Sequence, residues 1–155
     1  MSAEPGQTDW VYALPAYLGA SIAAHLMWEV LQLPLYTIWT TATREQLAFA
    51  LLHCTAGDTI IAGLSLLAAL TLFGFSAWSS ANATRVYCAT LVLGAGYTVF
   101  SEWLNTGVRG TWAYSDLMPV VPLLGTGIAP LLQWLVVPTL AFWFAFHRIP
   151  LYERQ

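Results

Sequence analysis

The chain has 155 residues, of which 58% are hydrophobic and only 8% are charged, and its formal net charge at pH 7 is −3. A soluble domain carries roughly 25% charged residues, so this composition is too apolar to cover the surface of a soluble protein. Its basic residues are five arginines, and they form no basic tract of the kind that binds nucleic acid. We therefore predict one transmembrane domain over residues 1–155.

Four apolar stretches are long enough to cross a bilayer, which requires roughly 20 helical residues. They lie at residues 11–39, 47–75, 86–104 and 128–146. We therefore expect an all-α integral membrane bundle of four transmembrane helices. Pro34 and Pro138 fall inside two of the predicted helices, where each would remove one backbone hydrogen bond.

The third connector, residues 105–127, is long for so small a bundle and contains Arg109, Trp112, Tyr114 and Asp116. Connections of this length are usually functional or disordered. This one is too aromatic and apolar for disorder, so we expect a folded lid or re-entrant cap between the third and fourth helices.

The arginines also predict an orientation for the bundle. With four spans both termini lie on one side, together with Arg85, Arg148 and Arg154, whereas Arg44 and Arg109 lie on the other. The positive-inside rule then favours cytoplasmic termini. Because the basic residues are all arginine, we expect a GC-rich bacterial source. We expect the chain to lie in the bacterial cytoplasmic membrane.

Each predicted span contains polar side chains at membrane depth. They are His25, Glu29 and Gln32 in the first span, His53 and Asp58 in the second, Glu102 in the third and Gln133 in the fourth. The spacing i, i+4, i+7 places the first three on one helix face. An ionisable group in hydrocarbon costs roughly 2.5–3.5 kcal/mol, and such groups usually face the bundle interior. We therefore expect these side chains to line an internal pocket.

Depth along the helices predicts where that pocket opens. At about 1.5 Å of rise per residue, most of the polar groups fall in the half of the bilayer beneath the third connector. We expect the connector to cap the pocket. Residues that we expect to bind a ligand there are Gln32, Glu102, Arg109, Trp112, Tyr114, Gln133 and Trp134.

This set favours a membrane enzyme that acts on a lipophilic substrate, such as a lipid or an isoprenoid. A histidine and two buried carboxyl groups can supply a general acid and a general base. We predict acid or electrostatic roles for Glu29 and Asp58, and we expect His25 and His53 to be the bases. Isomerisation, hydration or group transfer would use such a set.

Two alternatives stay open from the sequence. Glu29, His53, Asp58 and Glu102 supply oxygen and nitrogen ligands suited to a divalent metal, although no motif in the chain requires a cofactor. The second alternative is a non-enzymatic accessory or assembly subunit, in which the polar side chains join helices to one another. Either alternative allows a homo- or hetero-oligomer.

Two short motifs resemble one known family. The HxxxE spacing of His25 and Glu29 and the adjacent Gln133 and Trp134 are similar to features of the membrane sterol-isomerase group, which has about four to five helices. The resemblance implies a helical membrane fold and an isomerase activity. The long polar connector between the first two helices of that group has no counterpart here, and we do not assign the chain to it.

Overall fold

The computed structural model describes residues 9–74 and 82–148, and these residues form helices joined by turns. The helices are α1 (Asp9–Gln32), α2 (Ile38–Thr41), α3 (Arg44–Phe73), α4 (Ala83–Glu102) and α5 (Ile128–Arg148). Among the described residues, extended pairing is limited to isolated β-bridges, one of which joins Tyr36 to Tyr114. The expectation of an all-α fold is confirmed.

The four long helices form a ring in which each contacts two others. Helix α1 packs against α3 and α5, and α4 packs against the same two helices. Gln32 near the end of α1 is hydrogen-bonded to Gln133 near the start of α5, and Tyr87 near the start of α4 is hydrogen-bonded to Thr139 in the second half of α5. Neighbouring helices in the ring run in opposite directions. The C-terminal ends of α1 and α4 therefore lie beside the N-terminal ends of α3 and α5. We call this end of the bundle the connector end.

The first helix is shorter than the sequence predicts, because it ends at Gln32 and not near residue 39. The chain continues through a 3-10 turn at Leu33–Leu35, and Tyr36 is extended, with φ −115° and ψ 147°. Pro34 has no N–H to donate and so does not continue the α-helix. The expectation that Pro34 lies inside a long helix was therefore wrong, whereas Pro138 does lie inside α5.

The other three long helices lie within a few residues of their predicted positions. Helix α3 begins at Arg44 because Thr43 and Gln46 form a capping box, in which each side chain accepts a hydrogen bond from the other residue's backbone N–H. Helix α4 ends at Glu102, and the chain continues as one π-helical turn, Trp103–Val108. The third connector therefore starts as helix.

Close packing of Trp134 against Gly94 joins α5 to α4. Trp134 is fully buried, and a Cβ atom added at Gly94 would lie 2.0 Å from Cε3 of its ring. Glycine at position 94 therefore allows the two helices to approach each other. Further along the bundle the rings of Tyr17 and Phe142 lie 4.9 Å apart.

Helix α1 is polar on its buried face and apolar on its exposed face. The buried face comprises Ala13, Tyr17, Ser21, His25, Glu29 and Gln32, and the exposed face comprises Ile22, Leu26, Met27, Val30 and Leu31. Soluble helices have the opposite arrangement. Of the described helices, α3 and α5 are long and apolar enough to cross a membrane.

Candidate functional site

The side chain of Gln133 lies where α1, α3 and α5 meet. Its amide nitrogen is 2.8 Å from Nδ1 of His25 and 2.7 Å from Oδ2 of Asp58. Oε1 of Glu29 lies 3.4 Å from the same nitrogen. A primary amide has two N–H groups, so the two shorter contacts are its principal hydrogen bonds. One neutral side chain thereby joins polar groups from two other helices.

These contacts define the protonation of His25. Because the amide of Gln133 donates to Nδ1, the histidine accepts at that atom and has its proton on Nε2. His25 is fully buried, and its Nε2 has no hydrogen-bond partner among the described residues. Its ring lies 5.7 Å from that of Trp134. His25 is therefore a neutral imidazole behind Gln133.

A chain of hydrogen bonds along α1 orients Glu29. The indole N–H of Trp28 donates to Oε1 of Gln32 at 3.2 Å, and Nε2 of Gln32 donates to Oε1 of Glu29 at 2.7 Å. These pairs are three or four residues apart, the spacing at which helical side chains meet. Gln32 also lies 3.5 Å from Oε1 of Gln133. The carboxyl group of Glu29 is therefore held in place from both α1 and α5.

A cavity of about 830 Å³ adjoins this cluster at the connector end of the bundle. Its polar wall includes Glu29, Gln32, Asp58, Glu102 and Gln133, and its aromatic wall includes Tyr36, Phe49 and Trp112. Pockets for small molecules have volumes of roughly 300–1,000 Å³ and mix apolar walls with a few polar groups. The size and composition of this cavity match that description.

Tyr114 connects the cavity wall to the third connector. Its hydroxyl donates a hydrogen bond to Oε2 of Glu102 and accepts one of 2.9 Å from the backbone N–H of Gly127. Burial raises the pKa of Tyr114, and the hydrogen bond to Glu102 raises it further. The phenol therefore stays protonated and keeps Glu102 tied to the connector.

The third connector is also bonded to the turn that follows α1. The backbone N–H of Thr37 donates to the carbonyl of Ala113 at 2.9 Å, and that of Ser115 donates to the carbonyl of Leu35 at 2.9 Å. The hydroxyl of Ser115 reaches the carbonyl of Pro34 at 3.2 Å. These bonds hold the connector against the turn that follows α1.

Tyr36 belongs to this paired segment, because it forms the β-bridge with Tyr114. Its ring centroid is 5.5 Å from that of Tyr114. Burial raises the pKa of Tyr36, and the nearby carboxylate of Glu102 raises it further. A protonated phenol therefore forms part of the cavity wall.

The structure brings most of the predicted site residues to one place. His25, Glu29, Gln32, Asp58 and Gln133 form the cluster described above, and Glu102 and Trp112 line the same cavity. Tyr114 contacts Glu102 from the connector.

Of the remaining predicted residues, Arg109 lies away from the cavity, Trp134 contacts the cluster through His25, and His53 lines the cavity without joining the cluster. Arg109 is exposed and does not line the cavity. Trp134 is buried behind His25 and packs against Gly94. His53 is exposed at the cavity wall, where its ring stacks on that of Phe49 with centroids 5.5 Å apart. His53 and His25 therefore occupy different environments.

The candidate metal ligands do not form a ligand set in the described part of the chain. Within residues 9–74 and 82–148, no three His, Cys, Asp or Glu side chains are grouped so that they could hold a metal ion. The cavity also has walls that the sequence did not single out, among them Phe49 and Cys54. For Phe49 the signal was its spacing of four residues from His53, which places both on one face of α3.

The cluster and the cavity lie at the connector end of the four long helices, and the third connector contributes Thr111 and Trp112 to the cavity wall. Their geometry provides the functional evidence. The chain matches no protein-family model, no curated protein and no solved structure.

Proposed function

We propose that this chain is an integral membrane protein with four spans, and that its cavity binds a lipophilic molecule and acts on it by acid–base chemistry. The observation behind the proposal is the amide of Gln133, which joins His25, Asp58 and Glu29 beside a cavity of about 830 Å³. Such a cluster has the side chains that proton transfer requires.

The polarity of the helices supports four spans. Only 28% of the most apolar window of α3 and 44% of that of α5 are buried, whereas a core helix of a soluble protein is mostly buried. Helices α1 and α4 have less apolar sequences because residues such as His25, Glu29 and Glu102 belong to them, but these side chains are buried in the bundle. At 1.5 Å per residue, 24 and 20 residues give lengths of about 36 and 30 Å, which suffice for a bilayer core.

The two carboxyl groups beside Gln133 have complementary roles in this proposal. When two carboxyl groups share one site, a single proton between them avoids two adjacent charges and provides one acid and one base. Glu29 and Asp58 both line the cavity, so a substrate there can contact both. His25 does not line it, and we assign it a positioning role through Gln133. His53 lines the cavity and is a second candidate base.

Native mass spectrometry of the detergent-purified protein, combined with metal analysis, tests the proposal. We expect a lipophilic molecule to be bound to the wild type and to be lost in Glu29→Gln and Asp58→Asn. Size-exclusion chromatography and circular dichroism establish that the variants are folded. The control is Asp116→Asn, which removes an exposed carboxylate in the connector and should retain the bound molecule.

Two other results would contradict the proposal. A stoichiometric metal that is lost in Glu29→Gln or His53→Ala would show that the chain is a metal-binding protein. A folded wild type that contains neither a metal nor a lipophilic molecule would favour an accessory or assembly subunit.

A further inference from the structure

The charged groups around the cavity are of one sign. Glu29, Asp58 and Glu102 line it, and among the described residues no arginine does. The chain contains no lysine. Arg44 and Arg109, the arginines nearest in sequence to this end of the bundle, are both exposed. The protein therefore presents acidic groups to whatever occupies the cavity, and the imidazole of His53 is the only basic side chain among the described residues of its wall.

The hydrogen bonds to these carboxyl groups come from neutral donors. Glu29 accepts from Gln32, Asp58 accepts from Gln133, and Glu102 accepts from Tyr114. Nδ1 of His25 lies 3.7 Å from Oδ2 of Asp58, but it accepts the hydrogen bond of Gln133 and so provides no positive charge. A buried carboxylate without a cationic partner is costly. A positive charge on the ligand would offset that cost, whereas a phosphate or carboxylate head group would be repelled.

The shape of the site favours an organic cation over a metal ion. The carboxyl groups come from three helices around a cavity of about 830 Å³, and no three His, Cys, Asp or Glu side chains among the described residues are grouped for a metal. The aromatic walls formed by Tyr36, Phe49 and Trp112 suit the apolar part of a ligand. Aromatic faces also attract cationic nitrogen.

We infer that the cavity binds a lipophilic amine, with its protonated nitrogen among Glu29, Asp58 and Glu102 and its apolar part against the aromatic walls. This inference rests on the proposed function and narrows its ligand from any lipophilic molecule to a cationic one. A molecule that acquires positive charge during the reaction would be stabilised by the same carboxyl groups.

The two cysteines of the chain provide a site-specific test. Cys54 is half-buried and lines the cavity, whereas Cys88 is exposed and does not. Cys88→Ser therefore leaves one thiol in the cavity wall, and Cys54→Ser leaves one outside it. Both proteins are placed in phosphatidylcholine nanodiscs, and their alkylation by N-ethylmaleimide is timed in the presence of dodecylamine, dodecanol or dodecanoate. The three probes share one alkyl chain and differ in head-group charge.

We expect dodecylamine to slow alkylation of Cys54 by about tenfold, and dodecanol and dodecanoate by less than about twofold. The alkylation rate of Cys88 should change equally with all three probes. This change measures the effect of probe partition into the bilayer, because Cys88 lies outside the cavity. In the Cys88→Ser background, Glu29→Gln and Asp58→Asn should each reduce the protection by dodecylamine, and Asp116→Asn should not.

The other outcomes overturn the inference in distinguishable ways. Protection by dodecanol or dodecanoate equal to that by dodecylamine would refute the cationic ligand and leave the cavity as a site for lipophilic molecules. If no probe protects Cys54 but a lipophilic molecule is found by native mass spectrometry, the cationic class alone is refuted. If no probe protects and no molecule is found, both this inference and the proposed function fail.

Discussion

Nε2 of Gln133 lies 2.8 Å from Nδ1 of His25, so that a neutral amide from α5 holds a fully buried imidazole on α1. The same nitrogen donates to Asp58 on α3. Gln133 therefore links three helices by hydrogen bonds and is also a member of the candidate site. Its removal should affect both stability and any bound ligand.

Replacing Gln133 by leucine tests how much its hydrogen bonds between helices contribute to stability. Gln133→Leu preserves much of the side-chain volume but leaves Nδ1 of His25 and the carboxyl group of Asp58 without their donor. Leaving buried polar groups unsatisfied costs about 1–3 kcal/mol. We therefore expect a lower midpoint of thermal unfolding in detergent, measured by size-exclusion chromatography of heated samples.

Two comparisons separate this effect from general damage to α5. Leu135→Ala removes an exposed side chain from the same helix, and we expect it to have a smaller effect than Gln133→Leu. In a double-mutant cycle with His25→Leu, the two substitutions should cost less together than the sum of their separate effects, because neither partner is then unsatisfied. Additive effects would contradict the hydrogen bond between them.

The contact of Gly94 with Trp134 predicts a second stability effect. Gly94→Ala would place Cβ 2.0 Å from the indole ring, and forcing an extra carbon into a packed core typically costs about 1–3 kcal/mol. Gly96→Ala is a matched control on the same helix, because nothing lies within 4 Å of its Cβ position. We expect Gly96→Ala to be neutral or stabilising by up to about 1 kcal/mol. Equal thermal stability of the two variants would show that α4 and α5 do not pack as described.

How much of the fold the sequence predicts is clearest at α1. The length of the apolar stretches indicates four long helices, but the first predicted helix extends too far because the residues from Leu33 to Trp39 are as apolar as a helix. Hydropathy does not register that Pro34 lacks a backbone donor. The end of α1 at Gln32 depends on that missing donor and on the hydrogen bonds of Ser115 to this turn.

The candidate site shows the same division. Helical spacing predicts that His25, Glu29 and Gln32 share a face, and all three lie on the buried face of α1. The contact of Gln133 with both His25 and Asp58 could not be predicted, because it depends on the rotation of α5 relative to two other helices. The width of the cavity could not be predicted from the sequence either. This width allows His53 and Asp58 to line one cavity although they lie on different sides of α3.

The hydrogen bond from Tyr114 to Glu102 predicts that the stability of the protein depends on pH. The pKa of Tyr114 is raised above its ordinary value of 10.0, so the folded state retains the phenol proton where the unfolded state has lost it. The resulting stability is fully present below pH 10 and decreases as the pH rises above it towards the folded pKa. Tyr114→Phe removes this dependence together with the hydrogen bond, at a cost of about 0.5–1.5 kcal/mol.

The absorbance of ionised tyrosine, recorded while the pH is raised, measures this effect. N-acetyltyrosinamide serves as the reference for an exposed phenol. We expect Tyr114→Phe to remove one phenol that ionises at a higher pH than this reference does. If the variant instead removes a phenol that ionises at the same pH as the reference, Tyr114 is exposed to water and does not hold the connector to Glu102.

The exposed apolar surface of α3 provides the most direct test of membrane insertion. Leu64 is 61% exposed in the C-terminal half of α3, and Leu117 is 70% exposed in the third connector. If α3 crosses a bilayer, Leu64→Arg places a charge in hydrocarbon at a cost of roughly 2.5–3.5 kcal/mol. Leu117→Arg places the same charge outside the spans and should cost little. We expect Leu64→Arg to reduce the amount of folded protein recovered from the membrane fraction, and Leu117→Arg to leave it unchanged. In a water-soluble bundle the two leucines would both face solvent, and both substitutions would be tolerated equally, with the protein in the soluble fraction.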